Sequence, residues 1–336
     1  METSYILVTG ATGLIGAHVV DNLFRKGHRV RIAARSAEKA DAFLANRQQY
    51  KDRLDVFFIQ DLTDPNAFDR AVQDVTGVIH VASPLKYDVH DNEQALIIPA
   101  IQGVKSILNA SQKSPSIKRI VLTSSFGAVL DMARPDNAPW TATPSDWNPI
   151  TYDEAASPTA SAQDAYRGSK TFAEREAWAF MSDQKPHFDL VTLCPSMVFG
   201  PLADSPNSPC DLNESNKNLW KIVAGSAGGE LPPCKFNFWI DVRDLAEVHV
   251  RALFEQDAGG KRYIPVSPEP FTYEMVSRIV QGEMPELQGR VLEGEQEIKG
   301  HLTVDRSMME RDFPGLVYTP FRKTVVDFVG QVKGFV

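Results

Sequence analysis

The feature that most constrains the fold of this chain is a short apolar run that leads directly into three regularly spaced glycines. The run is Tyr5–Thr9, and it is followed by Gly10, Gly13 and Gly16 and then by an amphipathic stretch over 17–26. A buried strand that turns through glycines into a helix directs backbone N–H groups and the positive end of the helix dipole toward one point. Such a point suits a pyrophosphate, so the pattern predicts that the first βα unit binds a dinucleotide.

Each of the three glycines has a separate steric task in such a turn. Gly10 can take the tight turn, Gly13 lets the diphosphate approach the backbone, and Gly16 lets the helix pack against the strand without a Cβ clash. The spacing G-x-x-G-x-x-G departs from the G-x-G-x-x-G of many dehydrogenases, which indicates a subgroup. A βα turn that binds nothing is the alternative interpretation. The residues expected to contact the cofactor here are Gly10, Thr12, Gly13, Leu14, Ile15 and Gly16.

Strand-like apolar runs alternate with helical patterns through the first two thirds of the chain. No hairpin turn signals separate the runs, so right-handed crossovers and a parallel sheet are expected. The predicted fold class is therefore α/β, a doubly wound parallel Rossmann sheet with a smaller C-terminal substrate-binding lobe. The expected strands are Tyr5–Thr9, His28–Ala34, Asp55–Gln60, Gly77–Ala82, Arg119–Ser124 and Asp189–Cys194, and the expected helices are 14–26, 36–47, 65–74, 92–113 and 164–183.

Two segments interrupt this alternation and suggest how the chain divides into domains. Residues 126–163 have no clear periodicity, and residues 196–238 are punctuated by prolines. Irregular segments of this length in a compact domain are usually functional. We predict an NADP-binding domain of residues 1–195 plus about 239–264, and a substrate-binding lobe of about 196–238 plus 265–336 that closes over the carboxyl ends of the strands.

Charge and cysteine content exclude several classes of protein. The 336 residues carry a formal net charge of -8, which argues against a nucleic-acid-binding surface. The three cysteines are far apart and form no C-x-x-C motif, so neither a disulfide framework nor a metal site is indicated. No uninterrupted apolar run reaches the roughly 18 residues of a membrane span. We expect a cytoplasmic protein with a small-molecule substrate, without nucleic-acid or membrane partners, as a monomer or homodimer.

The end of the second predicted strand indicates which dinucleotide is bound. NAD-binding units have an Asp or Glu there, which accepts hydrogen bonds from the ribose hydroxyls and repels a 2′-phosphate. This chain instead has Arg35, with Lys39 one helical turn further along. A guanidinium matches the oxygens of a phosphate, so NADP(H) is the predicted cofactor. The alternative for Arg35 and Lys39 is that both side chains are simply solvated. Asp61, which follows the third strand, has two possible roles: it reaches the adenine, or it caps a helix.

A Tyr-x-x-x-Lys pair, Tyr166 and Lys170, stands at the start of a predicted long helix. The spacing places the phenol and the ammonium on one helix face, and Ser125 follows the strand that ends beside it. Carbonyl reduction needs a proton donor and a hydrogen-bond donor, and a nearby ammonium favours phenolate. We expect Tyr166 to be the acid, Ser125 to orient the carbonyl, and Lys170 to lower the pKa of the tyrosine. A solvent-facing lysine beside an anchoring tyrosine is the alternative.

Together these motifs resemble the extended short-chain dehydrogenase/reductase family. The match is close to its fungal NADPH-dependent carbonyl reductases of the methylglyoxal reductase type, which are dihydroflavonol reductase-like. The matching runs include Val121-Leu122-Thr123-Ser124-Ser125-Phe126, Ala165-Tyr166-x-Gly168-Ser169-Lys170 and Ile240-Asp241-Val242-Arg243-Asp244. The resemblance covers nearly the whole chain. It implies an NADPH-dependent reductase of aldehydes, ketones or diketones in which Ser125, rather than Ser124, is catalytic.

The same resemblance implies roles for residues that spacing alone does not single out. It places Pro195 and Val198 by the nicotinamide, and it adds to the cofactor contacts Leu62, Ala82 and Ser83. The positions that resemble the family's substrate-pocket wall are Leu85, Phe126 and Met197. Ordinary packing is an equal alternative for these three apolar side chains.

Two other functions would share parts of this pattern. A nucleotide-sugar epimerase or dehydratase of the same superfamily keeps the Tyr and Lys, but such enzymes usually hold NAD tightly and lack an Arg-marked NADP site. A non-catalytic NADP-sensing protein needs no proton donor, so the presence of Ser125, Tyr166 and Lys170 together argues against it. Leu130 stands where plant dihydroflavonol reductases have a substrate-binding Asn, which argues against that substrate.

Overall fold

The computed structural model describes residues 3–83, 91–134, 138–225, 229–298 and 300–335. The predicted strands each form within two residues of their expected ends. Across the described residues the strands are β1 (Tyr5–Thr9), β2 (Arg29–Ala34), β3 (Leu54–Phe58), β4 (Gly77–His80), β5 (Arg119–Thr123), β6 (Trp140–Ala142), β7 (Asp189–Leu193), β8 (Met197–Phe199), β9 (Trp239–Asp241), β10 (Arg262–Tyr263) and β11 (Leu302–Val304).

Helices connect most of these strands and cover both faces of the main sheet. The α-helices of the described residues are α1 (Leu14–Arg25), α2 (Ala37–Ala45), α3 (Ile98–Gln112), α4 (Tyr152–Ala156), α5 (Ala162–Gln184), α6 (Glu214–Val223), α7 (Val242–Phe254), α8 (Tyr273–Glu283), α9 (Ser307–Asp312) and α10 (Phe321–Val332). Helices α1 and α7 pack against each other on one face of the sheet, and α3 and α5 pack against each other on the opposite face.

The central sheet has the strand order β10-β7-β5-β4-β1-β2-β3, and its paired strands are parallel. Burial by helices on both faces explains why these strands are continuous apolar runs rather than alternating ones. The chain moves outward from β1 through β2 to β3 and then returns to β4 on the other side of β1. The predicted doubly wound α/β fold is confirmed, and its topological switch point lies between β1 and β4, where such sheets bind ligands.

Two of the predicted helices differ from the structure. The prediction of a helix over 65–74 was wrong, because this segment forms a series of turns. Short polar side chains start them: the Asp61 carboxylate accepts the Thr63 amide at 2.8 Å, and the Asp64 carboxylate accepts the Asn66 amide at 2.9 Å. Such side chains compete with helical backbone bonds. The helix expected over 92–113 begins with a π-helical turn, Glu93–Ile97, before α3.

A separate hydrophobic cluster lies outside the central sheet. It joins aromatic side chains of two distant parts of the sequence, including Phe199 and Trp239 from the first part and Phe271, Phe321 and Phe328 from the second. The rings of Trp239 and Phe321 lie 4.8 Å apart in an edge-to-face arrangement. The cluster gives the irregular segments a core of their own, whereas the domain limits named above stay a prediction.

Candidate active site

A cavity of about 790 Å³ opens at the carboxyl ends of the central strands. Its size lies within the range of ordinary cofactor and ligand pockets. It extends from the glycine turn past the ends of β2 and β3 to the segments that follow β5 and β7. The sequence-predicted cofactor residues that line it are Gly10, Thr12, Gly13, Leu14, Ile15, Gly16, Arg35, Lys39, Asp61, Leu62, Ala82, Ser83, Tyr166, Lys170, Pro195 and Val198.

The glycine turn has a geometry that side chains would disrupt. Gly10 has a φ of +68°, a conformation that non-glycine residues seldom adopt. A Cβ at Gly16 would lie 2.2 Å from the Gly10 carbonyl oxygen, so α1 can approach β1 this closely only without one. Gly13 precedes α1, and no side chain caps the helix. The first amides of α1 therefore lack the usual capping oxygen where Leu14 and Ile15 line the cavity.

Arg35 and Lys39 stand together at the rim of this cavity. Arg35 follows β2, and Lys39 lies in the first turn of α2, whose N-cap Ser36 accepts the Lys39 amide. Both side chains are exposed, and within the described part of the chain neither makes a hydrogen bond or an ion pair. Asp61 lines the same cavity, and hydrogen bonds from Thr63 lower the pKa of its carboxyl. Asp61 thus holds a turn at the cavity edge and does not cap a helix.

Ser125 and Tyr166 meet at the inner end of the cavity. Ser125 follows β5, and its hydroxyl accepts the Gly127 amide at 3.0 Å. Tyr166 lies in the first turns of α5, which Ser161 caps, and its hydroxyl shares a hydrogen bond with that of Ser125. Burial raises the pKa of Tyr166, and the bond with Ser125 opposes this rise only in part. The sequence analysis expected a lowered pKa for Tyr166. The pKa is raised instead, because burial outweighs any effect of a neighbouring cation.

Lys170 follows Tyr166 on the same face of α5 and is only 8% exposed. Burial lowers the pKa of its ammonium from 10.5 to about 8, although Cys194 and Glu174 act in the opposite direction. A buried amine gives up its proton more easily because the low-dielectric interior disfavours its charge. Lys170 therefore titrates close to neutral pH.

A buried ion pair behind Lys170 was missed by the sequence reasoning. Glu174, one helical turn after the lysine, is 1% exposed, and Arg262 of β10 is 7% exposed. The Arg262 Nε donates to Glu174 Oε1 at 2.8 Å, and the Ser124 hydroxyl donates to Glu174 Oε2 at 2.6 Å. The sequence offered one indication of this ion pair: Glu174 places a carboxylate on the apolar face of the helix, four residues after Lys170. Nothing in the sequence indicates its partner 88 residues away.

The residues predicted for the substrate wall have other surroundings. Leu85 lies outside the described residues. Phe126 is 5% exposed and packs against Phe238, with ring centroids 5.8 Å apart, and Met197 packs against the aromatic cluster of the irregular segments. Neither Phe126 nor Met197 lines the cavity, because their side chains are used in packing. Cavity-lining residues that the sequence reasoning missed include Gln94, Ala95, Pro99, Asn213, Glu214 and Ser215.

Comparison with known proteins places this geometry in a family. The model of the NAD dependent epimerase/dehydratase family matches residues 6–264. An uncharacterised oxidoreductase of Schizosaccharomyces pombe is 37% identical over 93% of this chain and 90% of its own length. The NADPH-dependent methylglyoxal reductase GRE2 of Saccharomyces cerevisiae is 33% identical over 98% of both chains. The solved structure of yeast methylglyoxal/isovaleraldehyde reductase Gre2 complexed with NADPH matches with a TM-score of 0.90 at 32% identity, covering 99% of this chain and 100% of that one.

Proposed function

The chain belongs to the NAD-dependent epimerase/dehydratase family, and we propose that it reduces aldehydes, ketones or diketones to alcohols with Tyr166 as the proton donor. It is an NADPH-dependent carbonyl reductase, as its resemblance to the fungal reductases of the extended short-chain dehydrogenase type implies. The hydrogen bond between Ser125 and Tyr166 beside the buried Lys170 is the observation that carries the assignment of these three residues.

The cavity residues fit NADPH in charge and in shape. The uncapped amides at the start of α1 suit the pyrophosphate, because they are unpaired donors at the positive end of a helix dipole. Arg35 and Lys39 offer two exposed cations at the rim, which suits the 2′-phosphate. Ala82, Ser83, Pro195 and Val198 would line the remaining length. When bound, NADPH supplies the hydride.

The protein's own residues then supply the proton and orient the carbonyl. Ser125 donates a hydrogen bond to the carbonyl oxygen, where negative charge develops during reduction. Tyr166 gives its proton to the same oxygen. The raised pKa of this phenol keeps the proton in place at neutral pH, and a phenol is still a much stronger acid than the alcohol that forms. A phenolate remains on Tyr166 until solvent protonates it.

Lys170 stabilises that phenolate as a nearby cation. Its ammonium is buried and carries its proton below about pH 8. An opposite charge in a low-dielectric site favours the ionised phenol far more than it would in water. Lys170 therefore assists at the moment of proton transfer, even though burial dominates the pKa of Tyr166 before the reaction.

Assays of NADPH oxidation with a panel of aldehydes, α-diketones, β-ketoesters and flavanonols test this function. We expect turnover of several small carbonyls with NADPH and much weaker turnover with NADH. Release of tightly bound NAD from the purified protein, without turnover of any carbonyl, would favour the epimerase alternative. NADPH binding without turnover would favour an NADP-sensing role.

We also propose that the protein acts in the cytoplasm as a monomer or homodimer. Its three cysteines, Cys194, Cys210 and Cys234, are far apart in the sequence and form no C-x-x-C motif, which suits a reducing compartment. No helix in the described ranges is long and apolar enough to cross a membrane. Light scattering on the purified protein measures the oligomeric state, and imaging of a tagged copy tests the location.

A further inference from the structure

We propose that Glu174, paired with Arg262, is a positioning residue. Glu174 holds the Ser124–Ser125 segment in place and keeps Lys170 protonated. The proposal rests on the function assigned above to Ser125 and Lys170. It concerns two charged side chains that lie behind the cavity wall rather than at the reacting atoms.

The carboxylate of Glu174 is held by donors from three separate elements. Ser124, directly before Ser125, donates its hydroxyl at 2.6 Å, and the Cys194 thiol after β7 lies 3.4 Å from the same oxygen. Arg262 of β10 donates to both carboxylate oxygens, at 2.8 and 3.2 Å. Burial pushes the pKa of Glu174 upward, but the Arg262 charge and the hydrogen bonds from Arg262 and Ser124 leave it below its usual value. Glu174 is therefore a carboxylate at working pH.

Arg262 extends this connection to the irregular segment that follows Ser125. Its guanidinium donates to the carbonyl of Ala128 at 3.2 Å and to those of Pro144 and Asp146. It also lies 3.9 Å from the centre of the Trp147 ring. A planar guanidinium can satisfy several acceptors at fixed angles, which a lysine cannot. The pair thus ties α5, which carries Tyr166 and Lys170, to both sides of Ser125.

The charge of Glu174 also acts on Lys170 one helical turn away. The ionisable groups around the lysine are Tyr166 and Glu174 on α5, His80 on β4, Cys194 after β7 and Arg262 on β10. Burial keeps His80 neutral by lowering its pKa to about 3, and burial raises the pKa of Cys194, so its thiol is neutral too. Among the residues that the structure describes, Glu174 is then the anion that opposes the loss of the Lys170 proton.

Removal of the Glu174 charge therefore makes Lys170 lose its proton at lower pH. In Glu174→Gln the alkaline fall of kcat/KM is expected to move down by about one pH unit, because a close charge in a buried site is worth about that much. The lost proton alone is expected to lower kcat at pH 7 about twofold, while the Kd for NADPH changes by less than about threefold. Glu174→Asp keeps the charge. The alkaline fall of its kcat/KM is therefore expected at the same pH as in wild type, even if the variant is less stable.

Glu174→Gln leaves Arg262 buried without its anion and could unfold the chain. The double variant Glu174→Gln/Arg262→Gln removes both charges. It is expected to show a smaller downward shift, because the Arg262 cation that repels the Lys170 ammonium is lost as well. The matched control is Arg119→Gln. Arg119 forms an ion pair with the more exposed Asp189, at 2.6 Å, at the amino-terminal ends of β5 and β7 and away from the cavity. Loss of the Arg119 charge is expected to lower Tm and to leave the pH of the alkaline fall of kcat/KM unchanged.

A direct titration separates this proposal from the proposed function. With ¹³Cε-labelled lysine, the Lys170 signal is identified by its absence in Lys170→Arg, and its pKa is read without any turnover. We expect that pKa to be lower in Glu174→Gln, or in the double variant, than in wild type. An unchanged Lys170 pKa in both variants, or an equal shift in Arg119→Gln, would overturn the positioning role. A wild-type protein that reduces no carbonyl would count against the proposed function alone.

Discussion

The hydroxyl groups of Ser125 and Tyr166 share a hydrogen bond between the end of a central strand and the first turns of α5. The strand is fixed by its place in the sheet, and the helix is fixed by packing against α3. The two hydroxyls are therefore positioned by a central strand and by a helix that packs on the sheet. Such pre-organisation is what a site needs if it is to stabilise a developing oxyanion.

Replacement of Ser125 tests the role of this hydrogen bond. In Ser125→Ala the carbonyl loses its donor, so kcat is expected to fall about a hundredfold with little change in the Kd for NADPH. Ser145→Ala, at an exposed serine away from the cavity, serves as the control. Steady-state kinetics on both variants measures the effect. A Ser125→Ala variant within about threefold of wild-type kcat would contradict the assignment.

The buried ammonium of Lys170 should cost stability while it serves catalysis. The fall of its pKa from 10.5 to about 8 corresponds to about 3 kcal/mol of destabilisation in the folded state. Because the folded pKa is lowered, this cost is complete below about pH 8 and disappears as the pH rises toward 10.5. Lys170→Met is therefore expected to lose activity and yet unfold at higher denaturant concentration at pH 7.

Urea unfolding at pH 7 and at pH 9.5 tests this trade-off. The gain in stability of Lys170→Met over wild type should shrink at the higher pH, where folded wild type has already lost the proton. A variant less stable than wild type at pH 7 would show that the ammonium makes favourable contacts that outweigh its burial.

Charge reversal at the rim of the cavity should change the cofactor preference. Arg35→Asp replaces the predicted phosphate ligand by a carboxylate that repels a 2′-phosphate and can accept ribose hydroxyls. We expect the ratio of kcat/KM for NADPH over that for NADH to fall at least about a hundredfold. Lys51→Asp makes a charge reversal at an exposed site away from the cavity and should leave the ratio unchanged. Equal ratios in wild type and Arg35→Asp would remove Arg35 from the cofactor site.

The glycine turn offers a test of backbone packing. A methyl group at Gly16 would lie 2.2 Å from the Gly10 carbonyl oxygen and 2.8 Å from the Ala11 Cα, both of which are backbone atoms. Gly16→Ala is therefore expected to destabilise the fold by about 3 kcal/mol or more and to abolish NADPH binding. Gly330→Ala adds a methyl group in α10 with nothing within 4 Å and should be neutral or stabilise by up to about 1 kcal/mol. Thermal unfolding and NADPH titration distinguish the two variants.

The sequence was most informative where one local pattern determines one structure. The strands before Gly10 and Ser125 are apolar runs buried on both faces, so their ends could be placed within two residues. The helix over 65–74 failed because Asp61 and Asp64 form side-chain turns that the apolar pattern does not reveal. Limited proteolysis would test the domain limits, which depend on how the irregular segments fold.

The site was predictable only where its residues are close in sequence or belong to a motif. Tyr166 and Lys170 share one helix turn, so their spacing alone places them together. Glu174 and Arg262 meet only because β10 joins the edge of the sheet beside β7. The pKa of Tyr166 was expected to be lowered, and burial reverses that direction because desolvation depends on the whole fold.

The most direct test of the proposed chemistry is the reaction of Tyr166→Phe with a carbonyl substrate that the wild type reduces. The variant keeps the ring and loses only the hydroxyl, so we expect the Kd for NADPH to stay within about threefold of wild type. Single-turnover oxidation of bound NADPH should slow by at least about a thousandfold, because the proton donor is gone. Turnover within tenfold of wild type, with NADPH binding intact, would contradict the role of Tyr166 as the acid.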